Sequence, residues 1–91
     1  MKPETRFKRR PEFGWKATDD RVVIVDECEG VVFDLNAPAA EIWKALDGQK
    51  TLTELVDLLA AEFQAERGTL EKDARELLKD LKRRDLITEE A

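Results

Sequence analysis

Residues 31–43, VVFDLNAPAAEIW, constrain this fold more than any other stretch. On an extended chain Val31, Phe33 and Leu35 face one way, and Val32 and Asp34 face the other. Asn36 then caps a helix whose first turn holds Pro38, where a missing N–H is harmless. Ala39, Ile42, Trp43 and Leu46 recur at helical spacing and make one apolar face. Gly48 is expected to stop that helix. A strand therefore runs directly into a helix with no room for a linker.

Upstream, residues 13–17 (FGWKA) read as a first strand, closed by a turn at Thr18, Asp19 and Asp20. Residues 22–25 are β-branched throughout and form a second strand. Glu27, Cys28, Glu29 and Gly30 make the next turn, and Gly30 is free to take positive φ. Connections this short favour an antiparallel meander. Downstream, Thr51 and Glu54 have the spacing of a capping box. The helix they open places Leu52, Leu55, Val56, Leu59 and Phe63 on one face. Gly68 and Thr69 punctuate. A last helix carries the stripe Leu70, Ala74, Leu77, Leu78 and Leu81, after which Leu86 and Ile87 pack back on the body.

Three strands followed by three helices is an α+β pattern, and the helix arrangement resembles a winged helix-turn-helix. With 91 residues the chain makes one domain with a single small core. Residues 1–12 contain two prolines and no period, and are expected as a basic, flexible arm. Residues 13–87 are the expected domain, and residues 88–91 a frayed tail.

Most catalytic chemistries find no residues to carry them. The chain has no His, so it lacks a triad base and a His metal ligand. Its one cysteine, Cys28, lies between two glutamates that disfavour a thiolate, and one thiol builds neither a disulfide nor a zinc site. There is no Gly-rich phosphate loop and no calcium-loop spacing. The expectation is a non-enzyme that needs no cofactor.

Charge separates the remaining classes. Residues 1–17 carry six basic side chains against two acidic ones, whereas residues 18–91 carry ten against nineteen. A helix that reads DNA needs a basic exposed face. The middle helix instead exposes Glu54, Asp57 and Glu62. The last helix mixes Lys72, Arg75, Lys79, Lys82, Arg83 and Arg84 with Glu71, Asp73, Glu76, Asp80 and Asp85, a self-neutralising pattern. A winged-helix DNA-binding regulator therefore stands as the alternative reading, with nucleic acid not expected as a partner. No apolar run reaches the ~18 residues that span a bilayer, and no apolar segment follows the basic N-terminus as in a secretory signal. A cytoplasmic protein without a membrane partner is expected.

The order of these elements resembles the PqqD-like family, whose members are also called RiPP recognition elements. The resemblance covers residues 13–87. It is carried by Leu35 and Asn36 after an apolar strand, by Ile42 and Trp43, and by Leu46, Asp47 and Gly48. The Thr51-initiated helix and the run Asp73, Ala74, Leu77, Leu78, Leu81, Leu86 and Ile87 complete it. Trp43 looks more like the broader PqqD-like group than the pyrroloquinoline quinone members.

The resemblance implies a peptide chaperone for natural-product biosynthesis, PQQ biosynthesis included. It would hold the leader segment of a ribosomally made precursor for a modifying enzyme such as a radical SAM protein or a peptidase. In related domains the leader adds as an antiparallel strand to the sheet edge, in a groove between the third strand and the last helix. Here that implies the edge Val31, Val32, Phe33, Asp34 and Leu35, with Val32 or Phe33 as floor. It also implies a flank drawn from Asp73, Arg75, Leu77, Leu78, Lys79, Asp80, Leu81 and Lys82. The cations would meet leader carboxylates, and Asp73 or Asp80 a basic leader residue.

Spacing leaves open which flank faces the groove. Leu77 and Leu78 lie about 100° apart on a helix, so they cannot both point at the centre of the core. An open edge also allows self-pairing, so a monomer or a weak dimer is expected, and a scaffold that dimerises through that edge is a third reading.

Overall fold

The computed structural model describes residues 2–90. Its elements are β1 (Arg6–Arg9), β2 (Gly14–Ala17), β3 (Val22–Asp26), β4 (Val31–Leu35), α1 (Ala37–Lys44), β5 (Asp47–Thr51), α2 (Leu52–Glu62), α3 (Arg67–Arg83) and β6 (Ile87–Glu90). The fold is α+β, with three helices and two antiparallel three-stranded sheets.

The expected meander is one of these sheets, in the order β2-β3-β4. Trp15, Ile24 and Phe33 are cross-strand partners on one face, as are Ala17, Val22 and Leu35. Val22 and Ile24 are fully buried, so this face covers the core. The expected helix starts also form. Asn36 Oδ1 accepts from the Ala39 N–H at 3.4 Å. The Glu54 N–H donates to Thr51 Oγ1 at 3.2 Å, and the Thr51 N–H donates to Glu54 Oε1 at 3.0 Å.

The second sheet, in the order β5-β1-β6, departs from the sequence expectation. Residues 6–9 are not an arm but its central strand, with Phe7 fully buried. Phe7 pairs with Glu89, and Arg6 with Thr51 on one side and Glu90 on the other. The expected fraying at 88–90 is replaced by strand β6, while Ala91 lies outside the described residues. β5 (DGQKT) has no apolar residue and β1 (RFKR) has one, so neither shows a period of two. Their ladder hydrogen bonds join segments some forty and eighty residues apart, which no local pattern reports.

Two glycines also act differently from expectation. α1 closes at Ala45, before Gly48 is reached. Gly48 instead takes φ +84 inside β5, beside the Lys8 side chain, where the β1–β5 register slips. Gly68 lies within the first turn of α3 rather than before it.

The core gathers Phe7, Ile24, Ile42, Trp43, Leu55, Leu59, Leu78, Leu81 and Leu86 from both sheets and all three helices. Trp43 is central and fully buried. Its ring meets Trp15 edge-to-face at 6.2 Å. No charged side chain among the described residues is buried, and no helix among them is long and apolar enough to cross a membrane.

Candidate functional site

β4 bonds to β3 along one edge, and its other edge has no strand partner among the described residues. The main-chain donors and acceptors of alternate residues in this five-residue strand therefore face outward, where an extended chain can join the ladder. Val31, Phe33 and Leu35 lie on the core-facing side of β4, by their pairing with Asp26, Ile24 and Val22. Val32 pairs with Val25 on the opposite face and is 61% exposed, so it is not the floor of any groove behind the sheet.

Where this edge ends at Asp34 and Leu35, a groove of about 670 Å³ opens, bounded by the end of β4, the start of α1, the end of α2 and one flank of α3. Its apolar lining includes Leu35, Ala39, Ile42, Phe63, Leu70 and Leu77. Phe63 faces it because α2 ends there in an extended C-cap, and Leu77 because Leu78 has taken the core position.

The rim is charged. Arg21 pairs with Asp34 at 3.1 Å. Asp80 is held by Arg83 at 3.5 Å and Arg84 at 3.2 Å. Asp73 and Glu76 also line the groove and make no ion pair among the described residues. The Arg84 guanidinium lies 5.0 Å over the ring of Phe33, tying the end of α3 to the edge strand.

The geometry settles which flank of α3 faces β4. Asp73, Leu77, Asp80 and Arg84 fall at i, i+4, i+7 and i+11, one stripe of a helix. Arg75, Lys79 and Lys82 form another stripe, about 120–180° round from Asp73 and Leu77. Arg75 pairs with Glu71 at 3.6 Å, and Lys82 with Glu89 of β6 at 3.0 Å. Of the residues singled out from sequence, Asp34, Leu35, Asp73 and Leu77 come together at the groove, with Val31 and Phe33 on the same face of the strand. Arg75, Leu78, Lys79 and Lys82 do not line it: Leu78 is fully buried, and the three cations stand on the far flank.

Glu76, Arg84, Phe63, Arg21 and Pro38 also belong to the surroundings of the site, and sequence reasoning did not single them out for it. Glu76 and Arg84 were within reach, since both share the Asp73–Leu77 stripe. Phe63 carries only a core signal in sequence. Arg21 reaches the site through the β3–β4 register, which spacing alone does not supply. No cluster of His, Cys, Asp or Glu among the described residues could hold a metal ion.

Residues 21–87 match the family described as "Coenzyme PQQ synthesis protein D (PqqD)". A "PqqA binding protein" of Methylococcus capsulatus (strain Bath) is 35% identical over 80 residues, covering 86% of this chain and 82% of that protein. Two solved structures are similar throughout. "TbiB1 in complex with the TbiA(beta) leader peptide" has a TM-score of 0.78 at 32% identity, over 88% of this chain and 93% of that one. "Lasso peptide synthetase B1 complexed with the leader peptide" has a TM-score of 0.78 at 29% identity, over 91% and 98%.

Proposed function

The chain belongs to the PqqD family, and from that membership and the open edge of β4 we propose that it binds the leader segment of a ribosomally synthesised precursor peptide by strand addition. The observation that carries this reading is the juxtaposition of an unpartnered five-residue edge with an apolar groove. Main-chain hydrogen bonds to an edge give affinity irrespective of sequence, and alternate side chains dropping into pockets give selectivity. The naming of one relative for PqqA binding, and the leader peptides in two similar structures, support the same ligand class.

The contacts in this reading are the main chain of Val31–Leu35, with Phe33, Leu35, Leu77 and Asp73 contributing side chains. The role is non-catalytic and needs no cofactor: the protein presents the peptide to a separate enzyme, of the radical SAM or peptidase kind, in the cytoplasm. A disordered leader loses entropy on binding, so its affinity falls in the micromolar to sub-micromolar range for a modest interface. The free protein is a monomer or a weak dimer.

An amide chemical-shift titration with the peptide encoded by a short reading frame beside the gene tests this. Shifts concentrated in β4 and along Asp73, Leu77 and Asp80 are expected. Shifts confined to β5, β1 and β6 would move the site elsewhere, and no shift at high micromolar peptide would remove that leader as ligand.

A further inference from the structure

We propose that the peptide held in this groove carries a Lys or Arg two positions from an apolar anchor, and that Asp73 and Glu76 receive that cation. The inference rests on the leader-binding reading and specifies the peptide's chemistry.

The rim charges are unevenly compensated. Asp34 has Arg21, and Asp80 has Arg83 and Arg84. Asp73 and Glu76 have no such partner among the described residues, although both line the groove. They are i, i+3 neighbours, so their carboxylates repel across one helical turn. The neighbouring cations close no ion pair with them: Arg75 pairs with Glu71 and Lys82 with Glu89, and Lys79, one turn beyond Glu76, forms none with it among the described residues. Lys72, one turn before Glu76, closes no ion pair with it. A cationic side chain from the ligand relieves this repulsion, while a carboxylate there adds to it.

Spacing links this charge to the apolar lining. Leu77 lies one turn beyond Asp73, roughly 6 Å along the helix. Same-face residues of a strand are about 6.6 Å apart. A strand lying along α3 thus offers one residue to the apolar surface of Leu77, Leu35 and Phe63 and its same-face neighbour to Asp73, with Glu76, one turn on and beside Leu77, in reach of a long cationic side chain. The order in the peptide follows from the strand's direction.

The test is selection of a random dodecapeptide library, displayed on phage, against the wild-type protein and the double variant Asp73→Lys/Glu76→Lys. Both positions are exposed on α3, and a thermal melt of the variant checks its fold. The wild type is expected to enrich Lys or Arg two positions from an apolar residue, and the double variant to enrich Asp or Glu there instead. A selected peptide, made synthetically, should bind the wild type about tenfold more tightly than the variant at low salt. The difference should shrink near about 0.5 M NaCl. Selected peptides that shift β4 amides yet show no basic preference would overturn the charge assignment and leave leader binding standing. Selected peptides that shift neither β4 nor α3 would overturn both.

Discussion

The guanidinium of Arg9 donates to the main-chain carbonyl of Trp43 at 2.7 Å and to that of Lys44 at 3.0 Å. These are carbonyls of the last turn of α1, beyond the regular i+4 ladder, and that of Trp43 also accepts from the Leu46 N–H at 3.2 Å. A residue of β1 thereby caps α1 from 34 positions away. The same guanidinium lies 5.0 Å over the ring of Trp15, whose edge-to-face partner is Trp43. Arg9 thus joins the two sheets at the helix that carries the central tryptophan.

Arg9→Ala is expected to lower stability by about 1.5–3 kcal/mol, the range for hydrogen bonds from a charged donor. Urea unfolding measures it. Peptide affinity should not change, because Arg9 does not line the groove. Unaltered stability would show that water replaces both bonds without loss.

What could be read in advance divides along a physical line. The β2-β3-β4 meander, the Asn36 cap and the Thr51–Glu54 capping box were legible because each is written in adjacent residues. β1, β5 and β6 were not, because a strand such as Asp47–Thr51 with no apolar residue gains its place only from partners remote in sequence. For the groove, the edge strand and Leu77 were legible, and the choice of flank was not. It turns on whether Leu77 or Leu78 takes the core position, and that depends on how α3 rotates against α2.

Two glycines should respond oppositely to alanine. Gly48 has φ +84, where a side chain costs about 1–2 kcal/mol, so Gly48→Ala should destabilise by that amount. Gly68 lies in the first turn of α3 with open space around it, so Gly68→Ala should stabilise by up to about 1 kcal/mol. Thermal melts of both variants measure this. Equal effects of the same sign would contradict the backbone assigned to one of them.

Asp47 provides a pH dependence. The Gln49 N–H donates to its Oδ1 at 2.9 Å, and Lys50 pairs with its other oxygen at 3.3 Å. The backbone bond from Gln49 is the main reason its carboxyl titrates below the ordinary aspartate range. A pKa lowered by folding stabilises the native state above the unfolded-state value, and that contribution is lost as pH falls through the folded value. Asp47→Asn should therefore lower stability at neutral pH and flatten the acid limb of the curve, its difference from the wild type vanishing as pH falls through the folded value. A carboxyl carbon titration of Asp47 at or above the ordinary range would contradict it.

Leu77 and Leu78 offer the sharpest separation of fold from function, since they are chain neighbours with different surroundings. Leu78 is fully buried, and its truncation leaves a cavity in the core. Leu78→Ala should cost about 2–5 kcal/mol in urea unfolding. Leu77 is half-buried in the groove wall, where solvent already reaches the side chain. Leu77→Ala should therefore cost less than about 1.5 kcal/mol of stability, within the range of milder substitutions. On a bound peptide the ranking reverses, because Leu77 supplies contact surface and Leu78 supplies none. Peptide affinity should fall about tenfold for Leu77→Ala, by the loss of roughly 1.4 kcal/mol of apolar contact. For Leu78→Ala, measured where the variant remains folded, it should change less than about threefold. If Leu77→Ala left affinity intact while a variant at Lys79 or Lys82 abolished it, the opposite flank of α3 would be the one that meets the peptide.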